Sequence, residues 1–223
     1  MKTLECRGIT LSDKQTKICV PITGTDLEEI KEQAEKIANM NPDIVEWRAD
    51  FYDVKDNDET EFEQCLKAIN DNLKNIPIIY TYRTSNEGGE KSIDVDEYCR
   101  LCKYVSEISE KYNVAMIDVE LYENKDQKDI GKLLLDIKST GVKVIGSNHH
   151  FEGTPSEKDI FNVLKTMEEA GADICKIAVM PKEKVDVKTL INASKKANKE
   201  LNAPIITMSM GELGAVTRIC TRM

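Results

Sequence analysis

Residues 173–180 read DICKIAVM, a short apolar run opened by Asp173 and followed by Pro181, with one lysine, Lys176, in its middle. A run this short and aliphatic suits a buried strand better than a helix. Lysine is almost never buried without a partner. The run therefore raises a question of fold and a question of chemistry together.

Six comparable runs precede and follow it: Lys17–Ile22 (KICVPI), Ile44–Asp50 (IVEWRAD), Pro77–Arg83 (PIIYTYR), Val114–Leu121 (VAMIDVEL), Val142–Ser147 (VKVIGS) and Pro204–Met208 (PIITM). Between them apolar residues recur at helical spacing, as in Leu27, Ile30, Ala34 and Ile37, or Ile160, Val163, Leu164 and Met167. Thr25–Asp26, and Ser156 followed by Asp159, read as helix starts. Gly141 and Gly171 fall where helices should end. Thr3–Arg7 and Ile9–Leu11 read as a short hairpin ahead of the series.

Strand then helix, repeated at roughly 25–35 residues, requires parallel strands joined by crossover helices. No linker or compositional break interrupts it, so residues 1–223 are expected to form one α/β domain. That leaves a doubly wound open sheet or a (β/α)8 TIM barrel with an N-terminal β-hairpin. Thr23-Gly24-Thr25 after the first strand is no dinucleotide fingerprint.

Charge at the strand ends favours the barrel. Glu46 and Arg48 share one face of the second run, and Asp118 and Glu120 one face of the fourth. Arg83 closes the third, His149 follows the fifth by two residues, and Lys176 interrupts the sixth. Singly, each has an ordinary structural explanation; Glu46 and Arg48 read equally well as an ion pair at a strand end. An ionised group aimed into an apolar layer costs several kcal/mol unless it is paired. Charges from five successive strands therefore belong together in one polar mouth, and barrels gather catalytic groups at that end.

Composition narrows the class. The 223 residues carry a net charge of −9, are 40% hydrophobic and 32% charged. This supports a sizeable core and argues against nucleic acid as a partner, since phosphate contacts need clustered Lys and Arg. No run approaches the ~18 apolar residues of a membrane span, and the N-terminus lacks the apolar core of a secretory signal. Seven cysteines, at 6, 19, 65, 99, 102, 175 and 220, show no disulfide-framework spacing. They read as reduced thiols of a cytoplasmic protein. The Cys99/Cys102 pair has no second pair to complete a metal site.

A lysine crowded by Arg48 and Arg83 in a partly dry pocket is expected to lose its proton readily and to attack a carbonyl as a free amine. His149 is the natural proton carrier beside it. Arginines at the rim point to a substrate carboxylate.

The stretches carrying these charges, ICVPITG, IVEWRADFYD, TYRTSNEGGE, MIDVEL, SNHHF..TP, KIAVMP and PIITMSMGELGAVTR, resemble type I 3-dehydroquinate dehydratase in family order from residue 18 to about residue 219. The resemblance implies a (β/α)8 barrel that converts 3-dehydroquinate to 3-dehydroshikimate. It implies Lys176 as the Schiff-base residue, His149 as base and acid, and Glu87 as the carboxylate orienting that histidine. Glu46, Arg48 and Arg83 would hold the substrate's hydroxyls, and Arg218 its carboxylate. No metal or dissociable cofactor is implied, and a homodimer is. The family pattern continues past Ile219 into an eighth strand and a lid loop, where this chain ends CTRM. The expectation is thus a barrel truncated before its eighth strand. Two rival readings remain: an aldolase-like Schiff-base barrel, and an inactive remnant or binding protein of the same fold.

Overall fold

All seven runs form strands in the computed structural model, which describes residues 2–12, 15–53, 58–121 and 127–219. Cys220 and the rest of the CTRM ending lie outside the described residues. A hairpin comes first, β1 (Thr3–Cys6) and β2 (Ile9–Ser12), paired antiparallel. Seven parallel strands follow: β3 (Cys19–Ile22), β4 (Ile44–Arg48), β5 (Ile78–Thr81), β6 (Val114–Glu120), β7 (Lys143–His150), β8 (Ile174–Val179) and β9 (Ile205–Ser209). They neighbour one another in chain order.

Six helices link them: α1 (Leu27–Ala38), α2 (Glu59–Leu73), α3 (Val95–Glu107), α4 (Gln127–Ser139), α5 (Glu157–Glu169) and α6 (Lys184–Glu200). Two short helices, α7 (Gly211–Gly214) and α8 (Val216–Ile219), follow β9. The starts are where the sequence places them: Asp26 accepts from the Glu29 amide and Ser156 from the Asp159 amide, satisfying donors the first turn leaves open. Gly141 (φ 87°) and Gly171 (φ 95°) lie just past α4 and α5 in the left-handed region. No helix among the described residues is long and apolar enough to cross a membrane.

Side-chain alternation decides between the two architectures. Val45, Trp47, Ile78, Tyr80, Ile117, Val144, Cys175 and Ile177 pack with residues of all six crossover helices in one continuous core. The apolar cluster on the opposite strand faces holds no residue of a crossover helix among the described residues. There Ile44, Ile79, Met116, Ile145 and Ile174, with Ile206 from β9, form a second, smaller core. Helices on one face only, and residues from β4 to β9 converging on the other, describe a sheet curled into a barrel wall, not a doubly wound sheet.

Leu4, Cys6, Ile9 and Leu11 of the hairpin pack onto this inner core and seal the floor of the barrel. Arg7 fastens the hairpin, donating to the Val114 carbonyl at 2.8 Å. At the two margins of the wall, β3 and β9 each pair on one side only among the described residues. Cys19 and Pro21 of β3 are exposed there.

Candidate active site

Two residues beyond the floor residues of β4 to β8, the inward positions turn polar. Ile44 is followed by Glu46 and Arg48, Ile79 by Thr81 and Arg83, and Met116 by Asp118 and Glu120. Ile145 is followed by Ser147 and His149, and Ile174 by Lys176. A register shift between β5 and β6 makes Ala115 the extra residue, so Ile79 pairs with Met116 and Asp118 lies beside Thr81. Alternation alone thus stacks a charged layer on the apolar floor.

Lys176 Nζ lies 2.9 Å from Asp118 Oδ2 and 3.7 Å from Glu46 Oε1, with its side chain 12% exposed. Thr81 donates to the same Glu46 oxygen at 2.8 Å. Arg83 is 4% exposed and reaches Asp118 (2.8 Å), Glu120 (3.0 Å), Ser147 Oγ (2.9 Å) and, more distantly, Glu87 (3.6 Å). Thr84 donates its amide and its hydroxyl to Glu120. Glu87 sits in a one-turn helix, Ser85–Glu87, where it meets His149 Nδ1 at 2.9 Å and accepts from Asn148 Nδ2 at 3.0 Å.

These contacts set the charges. Burial opposes ionisation of Asp118, yet Arg83 and Lys176 hold it well below the usual carboxylate range. Of the three carboxylates that Arg83 reaches, Glu87 has the longest contact. Burial, then the neighbouring Glu120 carboxylate, push its carboxyl up to about 8. Burial and the Arg83 guanidinium push the His149 imidazole down to about 2, so it stays neutral. A neutral imidazole beside a carboxyl that titrates near neutrality is equipped to take and return a proton.

The structure brings Lys176, His149, Glu87, Glu46 and Arg83 together. It departs from the sequence reading in two ways. The ion partners of Lys176 are carboxylates, because Arg83 is engaged by Asp118 and Glu120, and Arg48 by Asp50 through a two-pronged contact of 2.8 and 2.7 Å. Arg83 and Lys176 share Asp118, each on its own carboxylate oxygen, so a negative charge offsets the expected crowding by arginine. Arg83 also lies inside the charged layer and not at its rim. Arg218, on α8, is exposed, and its side chain makes no hydrogen bond or ion pair among the described residues. Asn148 and Ser147 carry no signal of a role in the SNH stretch, and Asp50 shows in the sequence only as the end of an apolar run. Cys102 is buried in the outer core on α3. No three His, Cys, Asp or Glu side chains are grouped to hold a metal ion among the described residues.

Known proteins share both sequence and shape. The family model for type I 3-dehydroquinase matches residues 18–223. The 3-dehydroquinate dehydratases of Clostridium novyi and Bacillus licheniformis are 37% and 41% identical over 220 residues, covering 98% of this chain and 85% and 84% of theirs. The crystal structure of type I 3-dehydroquinate dehydratase from Clostridium difficile, with covalently modified comenic acid, matches at a TM-score of 0.93 and 36% identity. That match covers 100% of this chain and 86% of the other. The 3-dehydroquinate dehydratase of Geobacillus kaustophilus matches at a TM-score of 0.92 and 32% identity, over 99% and 83%. With the strand lysine, the buried carboxylates and the histidine all in place along the wall, this chain belongs to the type I 3-dehydroquinase family.

Proposed function

We propose that the chain dehydrates 3-dehydroquinate to 3-dehydroshikimate through an imine on Lys176, residues 1–223 acting as one catalytic domain. The observation that carries this reading is the unbroken line of contacts from Lys176 through Asp118, Arg83 and Glu87 to His149, in a chain of this family.

The Lys176 amine adds to the C3 ketone and water leaves, giving the protonated imine. Asp118 and Glu46 hold Nζ in place for this step. His149 Nε2 takes a proton from C2, and the electron pair moves toward the imine nitrogen. The C1 hydroxyl then departs with that same proton, as water. A second water hydrolyses the imine, freeing Lys176 and 3-dehydroshikimate. One water is lost overall and no redox partner is needed. Glu46, Arg48 and Arg83 shape the pocket for the ring hydroxyls. Arg218 pairs with the carboxylate; of these three arginines it alone has no ion partner among the described residues.

The family match weighs against the aldolase-like alternative. Free cysteines at all six described positions support a reducing, cytoplasmic setting, and the assembly is taken to be a homodimer, which sedimentation would check. Borohydride reduction in the presence of 3-dehydroquinate, followed by intact mass, tests the chemistry. An adduct on Lys176 together with released 3-dehydroshikimate is expected. A folded chain that forms neither would leave the remnant reading standing.

A further inference from the structure

Asp50 lies in the one-turn helix Ala49–Phe51, directly after β4, and is completely buried. Both carboxylate oxygens are fully engaged. Oδ1 accepts from Arg48 Nε at 2.8 Å and from the Arg83 amide at 3.2 Å. Oδ2 accepts from Arg48 Nη2 at 2.7 Å and from the Glu90 amide at 3.2 Å.

The two amides are not arbitrary points on the chain. Arg83 and Glu90 flank the two sides of the loop that carries Glu87. The loop closes on itself, with the Gly89 amide on the Thr84 carbonyl at 2.8 Å and the Ser85 amide on the Lys91 carbonyl at 3.0 Å. Gly89 packs so tightly that a Cβ there would stand 1.9 Å from the Arg83 carbonyl oxygen. Lys91 adds a second tie across the same neck, reaching Asp53 at 2.7 Å. An aspartate needed only to neutralise Arg48 would not require two backbone amides, 33 and 40 residues away, to converge on it.

We infer that Asp50 is a positioning residue: one buried carboxylate fixes the Arg48 guanidinium and, through the amides of Arg83 and Glu90, the loop that presents Glu87 to His149. Asp50 itself touches no reacting atom. It sets where the two walls of the mouth stand relative to each other. This rests on the function proposed above for its chemical consequence, but not for its structural one.

The experiment compares Asp50→Asn, Arg48→Lys and the double variant with the unaltered chain. Amide hydrogen exchange over residues 83–91 and the NMR titration of His149 are read without substrate; kcat and KM are read with 3-dehydroquinate. Arg48→Lys keeps a cation beside Asp50 but loses the two-pronged geometry. It is expected to raise KM while exchange over 83–91 stays unchanged. Asp50→Asn is expected to speed that exchange about tenfold, to shift the His149 titration, and to lower kcat about tenfold as well as raising KM. The double variant should keep the kcat loss of Asp50→Asn.

Unchanged exchange and titration in Asp50→Asn, or a double variant with the kcat of Arg48→Lys, would overturn the inference. If Asp50→Asn does not fold, Asp50→Glu retains the charge but displaces the oxygens from both amides. It should then speed exchange over 83–91, and exchange at the unaltered rate refutes the role. If the unaltered chain forms no product, the proposed function fails alone, because exchange and titration still decide the place of Asp50.

Discussion

His149 Nδ1 and Glu87 Oε2 stand 2.9 Å apart, and the proton between them determines what the imidazole can do. With Glu87 protonated, the carboxyl donates to Nδ1 and the ring hydrogen sits on Nε2, which cannot then accept. With Glu87 ionised, Nδ1 carries the hydrogen and Nε2 presents a lone pair. The Glu87 carboxyl changes state at about 8. Catalytic efficiency, kcat/KM, is therefore expected to rise with pH through a limb near that value, and Glu87→Gln to abolish the limb. A pH–rate profile of both proteins checks it.

The same proton gives stability a direction. The folded-state value for Glu87, about 8, stands above its ordinary 4.5, so its contribution is complete below 4.5 and is lost as pH rises through 8. His149 acts oppositely, its folded value of about 2 lying below 6.5, so its contribution is already complete above 6.5. Between 6.5 and 8 the Glu87 effect is therefore not offset by His149. The urea midpoint should fall across that interval, and fall less in Glu87→Gln.

Asp118 joins Lys176 to Arg83 with 1% exposure. Removing one partner from a buried ion pair strands the others. Asp118→Asn is expected to cost about 3–5 kcal/mol of stability, measured by urea unfolding, and to slow trapping of the imine.

Lys176 and His149 should separate cleanly under borohydride. Lys176→Met is expected to give no adduct at all. His149→Ala should still form some adduct on Lys176 while turnover drops by about 10²–10⁴-fold, the usual contribution of a general base. Intact mass and a rate assay on the two variants decide the division of roles.

Gly89→Ala tests the closed loop from another side. The added methyl runs into the Arg83 carbonyl, a backbone atom that cannot swing away. A loss of about 1–3 kcal/mol is expected, typical of overpacking, together with reduced activity as Glu87 is displaced. Thermal unfolding and kcat would show both.

The barrel was legible in the sequence because each apolar run is short, bounded by turn-forming residues and separated from the next by helical spacing. Boundaries blurred where neighbours intervened. His149 was expected two residues beyond a strand, yet β7 continues through it, because His149 and His150 pair with Ala178 and Val179 of β8. The charges on alternate strand positions were readable, since a period of two fixes which way they face. Their pairing was not. Nothing local in the sequence says that Arg83 will be drawn inward by Asp118 and Glu120 while Lys176 meets carboxylates. Asp50 was the least legible of all, its partners lying on a loop whose closure depends on Gly89 and Lys91. Glu87 had no signal of its own beyond the family resemblance.

The hairpin-sealed floor has a bearing on how this barrel tolerates change. Ile79, Ile145 and Ile174 pack together in the apolar floor, whereas Thr81, Ser147 and Lys176, two positions further along each strand, bond to the carboxylates of Glu46 and Asp118. The interior therefore has two storeys with separate duties, stiffness below and reactivity above. Shaving a methyl from the lower one, as in Ile145→Val, should lower the melting point by the equivalent of about 0.5–1.5 kcal/mol while the pH–rate profile keeps its shape.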